Sequence, residues 1–220
     1  MAQIFSPAAD TWFRAFAVLV VGGVVGLTLF AGGLARSTYE TRRGWHVDQP
    51  VPFSHQHHAG DLGIDCRFCH AAVEKSWNAG FPSTHTCMTC HSQIWTGAPV
   101  LAPVRQSLAE DKPIVWQRVS GLPDYVYFNH AIHIGRGVPC VACHGRVDRM
   151  PMTARAKPFK MRFCLGCHRD PAPRLKPRDQ VTRMDWSNWT AKDQAAFGQA
   201  AMAAYHLDPK RMTDCSLCHR

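Results

Sequence analysis

The phrase Cys66-Arg67-Phe68-Cys69-His70 is the first of five copies of the pattern Cys-x-x-Cys-His in this chain. On a turn of helix, the first cysteine and the histidine are four residues apart, so the two cysteines and the histidine can face one porphyrin. The pattern is typical of haem c attachment, in which the cysteines form thioethers and the histidine ligates iron. The other attachment phrases are Cys87-Met88-Thr89-Cys90-His91, Cys140-Val141-Ala142-Cys143-His144, Cys164-Leu165-Gly166-Cys167-His168 and Cys215-Ser216-Leu217-Cys218-His219.

These five phrases predict five covalently attached haem c groups. Paired cysteines also bind zinc, act as redox dithiols or form disulfides. Zinc sites require the pairs to combine in fours, and five pairs cannot be divided in that way. A thioredoxin-like motif accompanies alternating strands and helices, a pattern that is missing here. All ten cysteines belong to the phrases, so no thiol remains for a disulfide.

The chain is too short to give each haem its own protein core. Of its 220 residues, roughly 37 per haem remain once the apolar start is set aside, which is far below the size of an independent domain. We therefore expect a mainly α fold with much irregular loop, packed around the five haems. The 15 prolines and 16 glycines agree with a loop-rich chain.

A formal net charge of +9 suggests an anionic partner at first sight. Each haem carries two propionates, so five haems add about ten negative charges and bring the holoprotein close to neutrality. The arginines and lysines are also scattered and form no dense basic run. We interpret the basic excess as compensation for propionates and expect no nucleic-acid partner.

Residues 15–35 contain no charged side chain. As a helix they would extend about 32 Å, enough to cross a bilayer core, and they predict one N-terminal transmembrane helix. A cleaved signal peptide is the alternative, since Gly33-Leu34-Ala35 resembles a cleavage site, but the apolar run is long for such a peptide. Gly22 and Gly26 form a G-x-x-x-G pair that would let a partner helix approach closely.

The charges beside this segment conflict with the attachment phrases over orientation. Arg36, Arg42 and Arg43 follow the segment and only Arg14 precedes it, which by the positive-inside tendency would place the following chain in the cytoplasm. Haem c attachment is ordinarily completed outside the cytoplasmic membrane. We therefore predict a single-pass protein of the bacterial cytoplasmic membrane with its haem domain in the periplasm.

Beyond the anchor, the chain contains an internal repeat. Phe53-Ser54-His55-Gln56-His57-His58 precedes the first attachment phrase and Phe128-Asn129-His130-Ala131-Ile132-His133 precedes the third. The offset is 75 residues for the histidines, 74 between the first and third phrases, and 77 between the second and fourth. This period predicts two diheme modules. The predicted segments are a lead (1–14), the anchor (15–35), a first module (36–91), a linker (92–127), a second module (128–170) and a C-terminal segment with the fifth haem (171–220).

The paired histidines are candidates for the second axial ligands of iron. Within the phrases, the first ligands are His70, His91, His144, His168 and His219. Histidines three residues apart lie near one face of a helical turn and can point at two adjacent porphyrins. We assign His55 and His130 to the haems at the first and third phrases. His58 and His133 would then serve neighbouring haems, with His57 as an alternative to His58.

The fifth haem lies outside this repeat, so its second ligand is open. His206 lies upstream of the last phrase, and Met150, Met152, Met161 and Met212 lie near attachment phrases. Most methionines only pack, but a methionine ligand would raise the reduction potential. Residues 189–205 predict a helix with Thr190 as N-cap, whose packed face would contain Ala195, Phe197, Ala200, Ala201 and Ala204.

Residues around the phrases carry a family resemblance. The sequence resembles the membrane-anchored pentahaem cytochrome c subunit of bacterial alternative complex III from about residue 45 onward, and its modules more distantly resemble class III multihaem cytochromes. The matching stretches are Phe53-Ser54-His55-x-His57-His58, Ile64-Asp65-Cys66-Arg67-x-Cys69-His70, Thr86-Cys87-Met88-x-Cys90-His91-Ser92-Gln93-Ile94-Trp95, Val126-Tyr127-Phe128-Asn129-His130-x-Ile132-His133 and Cys143-His144-Gly145-Arg146-Val147-Asp148.

The resemblance implies a quinol-oxidising respiratory or photosynthetic complex. Its implied partners are an iron–sulfur protein, multispan membrane subunits that bind quinol, and a monohaem cytochrome c. We expect an electron-transfer subunit that relays electrons from quinol to a periplasmic acceptor and is not an enzyme by itself.

Two other functions remain open. A stand-alone membrane quinol dehydrogenase that feeds a periplasmic reductase would share the anchor and the haems. A multihaem reductase would need an open iron position, often from a departure such as Cys-x-x-Cys-Lys, whereas all five phrases keep histidine.

Overall fold

The computed structural model describes residues 4–219; residues 1–3 of the predicted lead and residue 220 of the predicted C-terminal segment lie outside it. In the described part, the chain is mostly helical with long irregular loops and has no strand, which confirms the expected mainly α class. An isolated antiparallel bridge joins His46 and Ala154. The chain forms two compact units that divide between Arg42 and Arg43.

The first unit is dominated by α1, Pro7–Arg36, which is followed by the short α2, Thr38–Thr41. Helix α1 begins eight residues before the predicted span because the sequence supplies start signals there. Pro7 occupies the first turn after the extended Ser6, and Asp10 complements the helix dipole. The stretch Pro7–Thr41 has a window mean hydropathy of 2.3, so by length and composition this helix could cross a membrane.

The second unit is built from short helices, and each attachment phrase lies on a helical turn. Four phrases lie on α-helices and the fifth on the 3₁₀ turn Cys215–Leu217. The α-helices are α3 (Cys66–Cys69), α4 (Thr84–His91), α5 (Ala102–Glu110), α6 (His130–Gly135), α7 (Cys140–His144), α8 (Met161–His168) and α9 (Ala191–Ala204). Further 3₁₀ turns are Pro99–Leu101, Val147–Arg149, Ala172–Arg174, Arg178–Gln180 and Arg211–Thr213.

Helix α9 confirms the predicted helix and its N-cap. The Thr190 hydroxyl accepts from the Asp193 N–H at 3.1 Å, and the Asp193 carboxylate accepts from the Thr190 N–H at 3.1 Å. The predicted packed face was partly wrong, because the buried positions are Gly198 and Ala201. Gly198 lies against the Ala172 carbonyl where no Cβ would fit, and this close approach turns Ala195, Ala200 and Ala204 outward.

The protein core of the second unit is small. One cluster contains Val51, Leu101 and Val104, and another contains Val73, Ile134 and Val181. Many large apolar side chains are instead exposed on this unit, including Trp77 and Phe81 at 63% and 53%. A core this small supports the expectation that cofactors supply much of the packing.

The two modules hold each other by matching contacts. The Gln56 N–H donates to the carbonyl of Met150, just after the third attachment phrase, at 3.0 Å. In the same manner, the Ala131 N–H donates to the carbonyl of Ser76, just after the first phrase, at 3.1 Å. Each histidine-bearing helix is therefore hydrogen-bonded to the loop that follows the first attachment phrase of the other module.

The first of these two helices is a π-helix, Gln56–Asp61, whereas its counterpart α6 is an α-helix. A π-turn takes in one extra residue, and the first module has one residue more between its first paired histidine and its first cysteine than the second module. The π-helix therefore explains the offset of 75 against 74.

Candidate haem sites

In the second module, both paired histidines face an attachment histidine. The rings of His130 and His144 are stacked with centroids 6.4 Å apart and an angle of 10°. The rings of His133 and His168 are 6.1 Å apart at 25°. Two imidazoles that bind one metal from opposite sides through bonds of about 2 Å hold their centroids roughly 6 Å apart. Both separations therefore fit a single iron between the rings.

The first module repeats this arrangement. The rings of His58 and His91 are 6.3 Å apart and tilted by 60°. His55 lies near His70, and burial, followed by the neighbouring His70 and His58, lowers the pKa of His55 to about 4. Its imidazole is therefore neutral at physiological pH, the form in which histidine ligates metals.

A phenylalanine supports each histidine pair. The ring of Phe53 stacks on His58 at 4.3 Å and meets His55 edge-on at 4.9 Å. Phe128 stacks on His133 at 4.4 Å and meets His130 edge-on at 4.7 Å. The Phe-x-His-x-x-His pattern thus encodes one packing unit that occurs twice, with the aromatic ring fixing both imidazole planes.

In most of these histidines, Nδ1 also forms a hydrogen bond with a backbone carbonyl. The Nδ1 to oxygen distance is 2.7 Å for His133 with Asn129 and 2.8 Å for His168 with Met212. Because a carbonyl only accepts, the proton lies on Nδ1 and the Nε2 lone pair is left for a metal. Similar bonds join His58 to Ser54, His70 to Gly80, His91 to Ile94, His130 to Trp77 and His219 to Tyr125.

His57 has different surroundings from its neighbour His58. Its side chain is 54% exposed, and its Nδ1 lies 3.7 Å from the Asp61 carboxylate. The geometry therefore favours His58 over His57 opposite His91.

The fifth phrase is held by a segment that sequence reasoning missed. The ring of Tyr125 stacks on His219 with centroids 5.9 Å apart and an angle of 27°, and the Tyr127 N–H donates to the Cys218 carbonyl at 2.9 Å. Among the candidate second ligands, Met150 lies beside Gly145 near the third phrase, His206 follows α9 with a positive φ of 54°, and Met161 is 62% exposed. A tyrosine two residues before the Tyr-Phe-Asn-His stretch was a visible signal, but sequence spacing does not link it to the chain end.

The first three phrases adjoin one another out of sequence order. The thiols of Cys66 and Cys140 hydrogen-bond to each other, which lowers the pKa of Cys66 and raises the pKa of Cys140. Burial, followed by the neighbouring Cys87, raises the pKa of Cys69. The first phrase therefore lies between the second and the third.

The series continues through the last two phrases. Burial, followed by Cys167 and Cys164, raises the pKa of Cys143 to about 11. Burial, followed by Cys218, raises the pKa of Cys164. The neighbouring pairs of phrases are therefore second with first, first with third, third with fourth, and fourth with fifth.

The residues present fit haem c. The facing rings have the separation that one iron requires, and the cysteines and histidines of the phrases lie on helical turns. His144 is partly buried, and this burial, followed by the neighbouring His130, His70 and His55, lowers its pKa to about 4. Neutral imidazoles in an apolar setting are suited to iron and unsuited to binding a proton.

The comparisons agree with this type of site. No family model matches the chain. Over 126 residues, the chain is 34% identical to a protein of Nitratidesulfovibrio vulgaris (strain Hildenborough) described as menaquinone reductase, multiheme cytochrome c subunit. The match covers 57% of this chain and 53% of that protein, so the chain spans about half the length of the relative it matches. The chain is therefore similar to a multihaem cytochrome c.

Proposed function

We propose that this chain is a pentahaem c-type cytochrome, the electron-transfer subunit of a membrane quinol-linked oxidoreductase. The observation that carries the proposal is the set of facing imidazoles about 6 Å apart opposite attachment histidines. Haem c supplies one-electron redox chemistry at iron when it is bound. The protein's own contribution is to fix the porphyrins and tune the irons through ligands, burial and hydrogen bonds.

The attachment cysteines would hold the haems covalently, and the phrase histidines would be the first ligands. We propose His55, His130, His58 and His133 as the second ligands of the first, third, second and fourth haems. The thioether cysteines are Cys66, Cys69, Cys87, Cys90, Cys140, Cys143, Cys164, Cys167, Cys215 and Cys218.

The second ligand of the fifth haem stays a prediction shared by His206 and the nearby methionines. Single replacements His206→Ala and Met161→Ala separate the candidates by visible and EPR spectra. The variant that converts one low-spin haem to high-spin identifies the ligand, and a wild-type spectrum from a variant removes its residue from consideration.

The family resemblance supports a finer proposal, the pentahaem subunit of alternative complex III. Its partners would be an iron–sulfur protein, multispan quinol-binding membrane subunits and a monohaem cytochrome c. Helix α1 would anchor the chain in the bacterial cytoplasmic membrane with the haem domain in the periplasm, where electrons pass to an acceptor.

The name of the relative favours a second direction of electron flow. A menaquinone reductase delivers electrons to quinone, whereas the first proposal has electrons leave quinol. The intact complex distinguishes the two directions, because one transfers electrons from added quinol to a periplasmic acceptor and the other consumes a periplasmic donor to reduce menaquinone.

Mild-detergent purification of the tagged chain from its native membranes tests the proposal. We expect co-purified membrane and iron–sulfur subunits and five haems per chain. A lone protein that quinol reduces would overturn the complex-subunit proposal in favour of a stand-alone dehydrogenase. Fewer than five haems per chain would overturn the assignment of the attachment phrases.

A further inference from the structure

We propose that Thr153, a residue of the second module, is a positioning residue for His55 in the first module. Through this contact, Thr153 would lower the reduction potential of the first haem. This inference rests on the proposed function, since it takes His55 to be an iron ligand. The Thr153 Oγ1 lies 2.8 Å from the Nδ1 of His55, 98 residues away in sequence.

This contact differs from those of the other histidines whose Nδ1 bonds are described. Those histidines form hydrogen bonds with backbone carbonyls, and a side-chain substitution does not remove a carbonyl. His55 instead forms its hydrogen bond with a side-chain hydroxyl. The matched histidine of the second module, His130, bonds the carbonyl of Trp77 at 2.9 Å. Two sites that are otherwise built alike therefore differ in the kind of group behind the ligand.

The Thr153 hydroxyl is presented by a fixed loop. On one side, the Met150 carbonyl accepts from the Gln56 N–H at 3.0 Å. On the other side, Ala154 bridges to His46, and the Arg155 carbonyl accepts from the Gly44 N–H at 2.9 Å. The backbone is thus tied on both sides of Thr153.

The chemical effect follows from what Nδ1 does to Nε2. With its Nε2 on a metal, His55 would carry its proton on Nδ1, and the Thr153 hydroxyl oxygen would accept a hydrogen bond from that N–H, which would raise the basicity of the ligand. A more basic ligand favours ferric iron and lowers the potential of the haem. Removal of this acceptor alone should therefore raise the potential of one haem.

The test compares full-length, haem-loaded variants by potentiometric titration and by EPR of the ferric state. Thr153→Val removes the hydroxyl at nearly constant shape, and Thr153→Ser keeps it. Thr190→Val is the matched control, because its hydroxyl caps α9, a helix that carries no attachment phrase, by accepting from the Asp193 N–H at 3.1 Å.

We expect Thr153→Val to raise the midpoint potential of one haem and to shift one low-spin ferric signal, with five haems retained. Thr153→Ser and Thr190→Val should titrate like the wild type. An unchanged titration of Thr153→Val, or a Thr153→Ser variant that behaves like it, would overturn the inference.

Two further outcomes separate this inference from the proposed function. If Thr153→Val fails to retain the first haem, retention in Thr153→Ser supports the hydroxyl, and loss in both overturns its role. A wild-type chain with fewer than five haems contradicts the proposed function instead. If the wild-type chain carries five haems and Thr153→Val leaves the titration unchanged, only this inference is contradicted.

Discussion

At the scale of single residues, Asp65 does more for the first site than its sequence neighbourhood suggests. Its carboxylate accepts from the Arg67 N–H at 2.8 Å, which caps α3, and from the Arg67 guanidinium at 2.9 and 3.0 Å. It also accepts from the Thr182 hydroxyl. Asp65 therefore connects the first attachment helix to the C-terminal segment.

Asp65→Ala should lower the free energy of unfolding by about 1 kcal/mol, the usual cost of losing a cap. The hydrogen-bonded Arg67 holds the pKa of Asp65 at about 2, below its ordinary 3.8. Because the unfolded chain takes up the proton first, this stabilisation is complete above about pH 4 and is lost as the pH falls through about 2. Denaturant unfolding of the holoprotein at pH 7 and pH 3 measures both effects. Asp124→Asn serves as the control, because Asp124 is exposed and caps no helix in the described part of the chain.

The adjacent histidines His57 and His58 allow a matched ligand test. We expect His58→Ala to turn one haem high-spin, because His58 faces His91 across the space of one iron. His57→Ala should leave the spectrum unchanged, since that side chain is turned toward Asp61. The reverse result would move the ligand assignment to His57.

At the scale of elements, the π-helix Gln56–Asp61 depends on a close backbone contact. Gly60 lies against the Asp148 carbonyl, where a Cβ has no room. Gly60→Ala should therefore destabilise the protein by about 1–3 kcal/mol. Gly97→Ala is the control, because a Cβ at Gly97 meets nothing within 4 Å and its φ is not positive. Thermal unfolding that moved equally in both variants would contradict this packing.

The sequence was informative where chemistry repeats at fixed spacing. The attachment turns, the helix at 191–204 and its Thr190 cap follow from local pattern, because capping and helical periodicity act within a few residues. The offset of 75 against 74 signals an extra residue in the first module, but its accommodation in a π-helix and the Thr153 contact could not be predicted, since both depend on how the two modules meet. The packed face of α9 was misjudged for the same reason: the Gly198 contact with Ala172 is tertiary.

At the scale of the whole molecule, the contacts between phrases connect them in a series whose order differs from that of the sequence. The first and third phrases meet at Cys66 and Cys140, and the second and fifth occupy the ends. The two exposed attachment cysteines, Cys90 and Cys215, belong to those end phrases. On the proposed function, an electron that crosses this series would pass between the two modules through their first sites.

Iron positions in crystals of the holoprotein test this order. An anomalous map should show the first and third irons as neighbours and the second and fifth as the most distant pair. An arrangement in sequence order, with the first iron at one end, would contradict the series described by the cysteines.

The charge of the whole molecule should also change on haem loading. The apo chain has a formal net charge of +9, and five haems bring about ten propionate charges. Because a ferrous haem adds no charge beyond its propionates, we expect isoelectric focusing of the reduced holoprotein to place it near neutral pH, far below the unfolded apo chain. A holoprotein that stayed strongly basic would indicate fewer haems or protonated propionates.

The exchange of contacts between modules has a consequence for biogenesis. As the chain is made from its N-terminus, His55 and the first phrase emerge long before Met150 and Thr153, which hold that histidine. In the second module the order is reversed, because Ser76 and Trp77 are synthesised before Ala131 and His130, with which they form hydrogen bonds. On the proposed function, the earliest site to appear is therefore finished late, because its haem would be held only by the thioethers and His70 until the second module supports His55.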